Sequence, residues 1–501
     1  MRKRLPLIAL LLSLAAPASA EVLNIGIVGD PGLLDPARSG NYIDRNVLAS
    51  ICDKLIDTDP DMRFVPQLAT GWEWSPDGLA LTLHLRAGVK FQDGSDFDAT
   101  AVKVNIERDQ TLQASLRKAE LRPVSAVEVV DPLTVRIKLS VPDAPLLAFL
   151  ADRSGMMLSP QAIAKYGDDI ATHLVCAGPY SLTERVAQDR IVVDRFPGYW
   201  NAGAISIDRI VYRPIPDSSV RLVNLKSGGL QMIDQMAATD VAAIKADPHM
   251  RVAQHVAAAY RTLQFNLHHG PRAEGPLGKD VRVRMALEKA IDRNALNQAV
   301  FEGLFVPNNQ AEVPHSPFWN PAHPVPERDL EGAKALLRQA GIEHPSFTLE
   351  LSNATLDGQI GEVLQAMATE AGFNVKLEQL EVNTGNAKTQ AGDFDIGLLT
   401  WSGRADPDAN LSIWMSCSGP FNFGTYCNPK MEELLKQGRE TSDLEKRIEI
   451  YHRVVDTYLA DMAQIILFNY TWIWGMSDRV EGFVPNRDGL IRPQGLKLKP
   501  K

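Results

Sequence analysis

The sequence predicts a mixed α/β protein built in two or more lobes, on three observations. Its 501 residues exceed what one hydrophobic core spans. The first half reads as short alternating strands closed by turns. From about residue 260 onward, strand-like runs alternate with capped amphipathic stretches, which is the pattern of α/β units.

Taken in order, Glu21 to Val28 alternates as a strand and stops at the turn residues Gly29-Asp30-Pro31-Gly32. Leu79, Leu81, Leu83 and Leu85 alternate again, ahead of the turn Asp93-Gly94. Ala126 to Leu139 reads as a hairpin, with Val127, Val129 and Val130 before Asp131-Pro132 and Leu133, Val135, Ile137 and Leu139 after it. Further on, Asp280 can cap a helix with Val283, Leu287, Ala290 and Ile291 on one face. Asp329 can cap another, with Leu330, Ala333, Leu337 and Ala340, that Gly341 stops. Phe347 to Leu351 and Asn374 to Leu377 read as strands flanking an amphipathic helix, and Phe394 to Leu399 as an apolar strand ending at Trp401. In such a β-α-β unit, ligands lie beyond the carboxyl ends of the strands.

The N-terminus reads as an address. Met1-Arg2-Lys3-Arg4 is basic, Leu5 to Pro17 is apolar, and Ala18-Ser19-Ala20 fits a small-residue cleavage site. The apolar run is shorter than the ~20 residues a membrane span needs, so the expectation is a cleaved secretory signal over residues 1–20 and a mature chain from Glu21, outside the cytoplasm. Lys and Arg number 52 against 61 Asp and Glu, a net charge of −9, which gives no cationic surplus for a nucleic-acid backbone. Four cysteines suit an oxidising compartment and allow three pairings. Cys417 and Cys427 flank the turn-rich Ser418 to Gly424 and form the natural local pair, which leaves Cys52 and Cys176 for a long-range bridge.

Phosphate-cradle, dinucleotide, nucleophile-elbow and zincin motifs are absent. His268-His269 are neighbours in sequence and so do not share a helix or strand face, and the cysteines lack ligand spacing, so neither a metal nor a cofactor is expected. Asp406 and Asp408 can be turn formers around Pro407 or a carboxylate pair. A secreted hydrolase, favoured only by compartment and size, is the second functional class.

Several segments together resemble the family-5 extracellular solute-binding proteins, the dipeptide, oligopeptide and nickel binding components of ABC importers. Leu34-Asp35-Pro36 is similar to the first-loop LDP. Pro66-Gln67-Leu68-Ala69 with Trp72-Glu73, followed by Leu85-Arg86-Ala87-Gly88-Val89-Lys90-Phe91-Gln92-Asp93-Gly94, resembles the family's most specific signature. Gly178-Pro179-Tyr180, Tyr199-Trp200, Asn266, Ala290-Ile291-Asp292-Arg293 and Gly303 match further landmarks. The resemblance implies a two-lobed clamp of the type II, large three-domain form. Lobe I would hold residues 21–53, 170–265 and 480–501, lobe II residues 266–479, and a β-rich subdomain, 54–169, would be inserted between segments of lobe I. It also implies a monomer in the periplasm that binds a peptide or peptide-like solute and delivers it to an inner-membrane ABC permease complex without bond chemistry. The same fold could take an opine, a sugar conjugate, haem or a nickel chelate. A bridge like Cys417–Cys427 occurs in the dipeptide binders.

By the same resemblance the ligand loop is Trp401-Ser402-Gly403-Arg404-Ala405-Asp406, faced by Gly29 and Asp30 of lobe I. Arg404 stands where dipeptide binders carry an Asp for the peptide ammonium. Asp357, Gly358 or Gln359 stands where they carry an Arg for its carboxylate. A guanidinium prefers carboxylate or phosphate oxygens, so Arg404 is expected either to meet a ligand anion or to pair with Asp406 or Asp408. Trp401 is expected at the ligand, and Trp72, Trp74 and Trp200 in the core.

Overall fold

The protein is described by a computed structural model over residues 20–500. The basic and apolar parts of the expected leader, Met1 to Ser19, lie outside the described residues. The front of the chain carries β1 (Val22–Ile27) and α1 (Tyr42–Ile51), then β2 (Ala69–Trp74), β3 (Ala80–Leu85), α2 (Ala99–Thr111), β4 (Val124–Asp131) and β5 (Thr134–Leu139). β6 (Tyr180–Val186), β7 (Arg190–Arg195), β8 (Arg209–Pro214), β9 (Met232–Ile233) and the long β10 (Met250–Phe265) follow. The back carries α3 (Val281–Ala290), α4 (Leu330–Ala340), β11 (Ser346–Ser352), α5 (Thr355–Glu370), β12 (Asn374–Leu380), β13 (Ile396–Trp401), α6 (Pro407–Met415), α7 (Pro429–Glu440), α8 (Leu444–Asp461) and β14 (Gln464–Ser477).

The local chemistry read from sequence explains these elements. Asp280 and Asp329 cap α3 and α4 through their side chains, each accepting from a backbone N–H of the first turn. Gly341 ends α4 in the left-handed conformation. The alternating runs form β3 and the β4–β5 hairpin, with Leu81, Leu83, Val135 and Ile137 fully buried on one face. These strands make a four-stranded antiparallel sheet in the order β2-β3-β5-β4, with its own apolar core completed by Val102 and Ile106 of α2. Trp72, Trp74 and Trp200 are half-buried against that core.

A second, larger sheet runs β12-β11-β13-β10-β14-β9-β1-β8-β7-β6. One half is built on the parallel set β9-β1-β8, the other on the parallel set β12-β11-β13. Among the described residues β10 and β14 run through both halves. Residues 250–256 pair with 471–477, beside β9, and residues 260–264 pair with 464–469, where β13 flanks β10. Between them the register slips at Ala257-Ala258-Ala259, where small side chains let other backbone approach closely.

The four-stranded unit is fastened to the β1 half. Cys52, at the end of α1, is bridged to Cys176. The Gln92 amide donates to Ile51 and Tyr180 carbonyls and accepts from Cys176 N–H. Gly178 brings the returning chain so close that a Cβ would sit 2.2 Å from the Ile51 carbonyl oxygen. Asp53 accepts from Tyr199 Oη and Trp200 Nε1, and burial pushes its carboxyl up to about 7. Cys417 is bridged to Cys427 in the other half.

Candidate functional site

The two halves of the large sheet and the inserted unit meet where several strands end at their carboxyl termini. α1 brings Tyr42 and Arg45, and the loop after β13 brings Ser402 to Asp406. Across the crossing strands an aromatic ladder runs from Tyr42, stacked on Trp472 at 4.9 Å, to Tyr470, stacked on the same indole at 5.8 Å. Tyr42 Oη donates to the Gly489 carbonyl at 2.7 Å, which fixes the ladder to the C-terminal segment.

The loop holding Arg404 is shaped by two features. Gly403 adopts φ +76°, and a Cβ there would lie 2.5 Å from the Ala258 carbonyl carbon, so only glycine lets the loop lie on the slipped stretch of β10. Asn410 of α6 then clamps it. Its Oδ1 accepts from Arg404 N–H at 2.7 Å and from Trp401 Nε1 at 3.0 Å, while its Nδ2 donates to the Arg404 carbonyl.

Held in this way, the Arg404 side chain crosses to the inserted unit. Its Nε lies 2.5 Å from Oδ2 of Asp152, whose Oδ1 accepts from Arg45 Nε of α1 at 2.8 Å. One carboxylate thus joins guanidinium groups from opposite halves. Arg153 Nε stands 4.0 Å from the same carboxylate, and its Nη1 donates to the Ser39 and Asn41 carbonyls. Arg117, paired with Glu120 at 2.5 Å, completes the group. Arg45, Asp152, Arg153 and Arg404 are each 5% exposed or less.

The unsatisfied donors of this cluster are its decisive property. Arg45, Arg117, Arg153 and Arg404 face Asp152 and Glu120, with the buried Asp44 near Arg153 and Asp109 near Arg117, while Asp488 reaches Arg45 only at 3.9 Å and is taken up by Arg492 at 2.8 Å. Burial lowers Arg404 to about 10 against the pull of Asp152, with Arg45 and Arg117 adding to the fall. Arg153 falls to about 9 through burial and through Arg117. The Asp152 carboxyl, despite burial, is held well below its usual range by Arg404, Arg45, Arg153 and Arg117. Arg45 Nη1 and Arg153 Nε are buried donors without a hydrogen-bond partner. Unpaired buried donors are costly, and an accepting anion removes that cost.

The remaining candidates fall into two groups. Arg404 pairs with neither Asp406 nor Asp408. Both oxygens of Asp406 accept from Arg447 at 2.7 Å while Asp406 caps α6, and Asp408 binds Arg439 and the Tyr451 hydroxyl. The start of α6 turns both carboxylates toward α7 and α8, away from the guanidinium that precedes them. Trp401 is 9% exposed, edge-on to Trp414 and Phe421, with the Arg404 guanidinium 4.7 Å from its ring centre. Its ring supports Arg404. Asp357 lies at the start of α5, 2.6 Å from Arg261 of β10, and accepts from Ser352 Oγ. Arg261 also donates to the hydroxyls of Thr400 and Tyr470, so these residues make a second polar wall beside the ladder. Gln359 is exposed on α5. Gly29 packs beside Ile43, and Asp30 keeps Oδ1 buried without a partner.

Sequence reasoning missed Asp152, Arg45, Arg153, Arg117 and Arg261. One signal was available in α1, where Asp44-Arg45-Asn46 places three polar residues in succession on a ten-residue helix and all three are buried. At least one must then face inward, since consecutive helical residues span about 200° of the circumference.

The comparisons with known proteins concern the family and the fold. The family described as bacterial extracellular solute-binding proteins, family 5 Middle, matches residues 63–422. The glutathione-binding protein GsiB of Salmonella paratyphi A is 30% identical over 463 residues, covering 90% of this chain and 89% of that protein. GsiB of Escherichia coli O1:K1 is 28% identical over 488 residues, covering 95% and 94%. Among solved structures, the periplasmic binding protein AgaA of A. tumefaciens R10, in complex with agropinic acid, superposes with a TM-score of 0.86 at 26% identity, covering 96% of this chain and 99% of that one. DppA of Helicobacter pylori, in complex with the peptide STSA, shares the fold with a TM-score of 0.87 at 23% identity, covering 96% and 98%. The chain belongs to the family-5 bacterial extracellular solute-binding proteins.

Proposed function

We propose that this protein is a periplasmic receptor that captures an anionic peptide or peptide-like solute between two lobes and delivers it to an inner-membrane ABC importer. The lobes are residues 21–53, 170–265 and 480–501 on one side and 266–479 on the other, with 54–169 as the inserted unit, and β10 and β14 are the hinge. The observation that carries the reading is the cluster of buried guanidinium groups around Asp152 and Arg404 at the junction, in which Arg45 Nη1, Arg117 Nε and Arg153 Nε have no hydrogen-bond partner. A carboxylate there would satisfy Arg45 and Arg153 while Arg404 closes from the opposite lobe. Relatives named for glutathione, and AgaA, whose partner is agropinic acid, bind anionic amino-acid derivatives, which supports both a peptide and an opine-like solute.

The test is mass spectrometry of the solute released on denaturing protein purified from its native periplasm, followed by calorimetric titration. A carboxylate-bearing, amino-acid-derived solute that binds without turning over is expected. A neutral or cationic solute removes the anion reading, and reaction products appearing during incubation revive the hydrolase.

A further inference from the structure

A second contact crosses from the inserted unit to the β11–β13 half, away from Arg404. In the loop before Leu146, Asp143 and Ala144 press on the helices that follow β13, with Ala144 N–H donating to the Arg439 carbonyl at 2.9 Å. Asp143 is 3% exposed and its Oδ2 has no hydrogen-bond partner. The charged and titratable groups facing it are Asp406 and Asp408 of α6, Arg439 of α7, and Arg447 and Tyr451 of α8. Arg447 is committed to Asp406 by two hydrogen bonds, and Arg439 to Asp408, which the Tyr451 hydroxyl also binds. Three buried carboxyl groups therefore share two guanidinium groups, and Asp143 is the one left over.

We infer that closing the clamp takes up one proton at Asp143, so that closure is favoured as pH falls. The step rests on the reading of β10 and β14 as a hinge. In the open clamp Asp143 would meet water and keep its usual value of 3.8. In the closed clamp burial, then Asp408, raise it to about 7 against Arg439. Above 7 Asp143 is ionised in both states and closure buries an unpaired charge. Between about 7 and 4 the closed state is protonated and the open state is not, so closure gains up to about tenfold per pH unit as pH drops. Below about 4 both states are protonated and the gain levels off.

The experiment places cysteines at the exposed positions Lys138 and Lys436, attaches a donor and acceptor dye with the native disulfides intact, and follows the inter-dye distance without ligand from pH 8 to pH 5. The expected result is two distance populations whose closed fraction rises as pH falls. Asp143→Asn should hold the closed fraction near its low-pH value at every pH. Asp408→Asn, which removes a facing carboxylate and frees Arg439, should move the transition to lower pH. Two populations in a ratio that ignores pH, or a pH response that survives in Asp143→Asn, overturn the proton proposal alone. A single distance at every pH overturns it together with the hinge.

Discussion

Arg404 shows how one residue's role depends on atoms far along the chain. From sequence, Asp406 and Asp408 are the nearest counter-charges, yet the side chain reaches Asp152 instead and rests on Trp401. If a ligand carboxylate joins this group, Arg404→Ala leaves that anion desolvated without a partner in the closed site. A loss of about 2 to 5 kcal/mol follows, roughly 30-fold or more in affinity. Arg404→Lys keeps the charge but loses the planar fork and rescues only part of it. Calorimetric titration with the identified solute reads both values, and near-parental affinity for Arg404→Ala removes the anion role. That Arg404 follows a strand was legible from the sequence. Its partner was not, because Asp152 follows a short apolar helix in a different unit and nothing local marks it.

At the scale of elements, the strands and helices that follow simple rules were legible and the crossing strands were not. The two capped helices, the β4–β5 hairpin and the β11-α5-β12 unit announce themselves through caps, alternation and turn residues. β10 does not, since its 16 residues mix polar side chains with four alanines and slip register in the middle. The same slip makes Gly403 essential. Gly403→Ala should lower stability by more than the roughly 1 to 2 kcal/mol that a left-handed residue costs, because its Cβ would strike Ala258 backbone. Gly341→Ala, at φ +74° with open space around it, should stay within that cost. Urea unfolding of the two variants compares them directly. The disulfides separate by loop length in the same way. Replacing Cys52 and Cys176 by Ser opens a span of 124 residues, a loss of about 5 kcal/mol on the chain-entropy account. Replacing Cys417 and Cys427 opens a span of 10, a loss of about 3 kcal/mol. Equal shifts in the two double variants would contradict that account.

For the whole molecule, the change in texture near residue 260 marked the passage between halves, but how the halves touch was beyond reach of sequence, since those contacts join residues hundreds of positions apart. Two strands bind the halves covalently, and the inserted unit reaches the opposite half through Asp152–Arg404 and through the loop of Asp143 and Ala144. The first contact is a buried pair, whose removal on one side costs about 3 to 5 kcal/mol because the surviving charge is stranded. That cost applies only while the clamp is closed, since opening returns Arg404 to water. Asp152→Asn should therefore shift the empty protein toward open forms by roughly 100-fold or more, while an anionic solute, which supplies the missing negative charge, should restore closure. Small-angle scattering tests this in one series. The empty variant should show a larger radius of gyration than the parent, and the difference should vanish when solute is added. An empty variant as compact as the parent would mean that Asp152 and Arg404 do not hold the halves together.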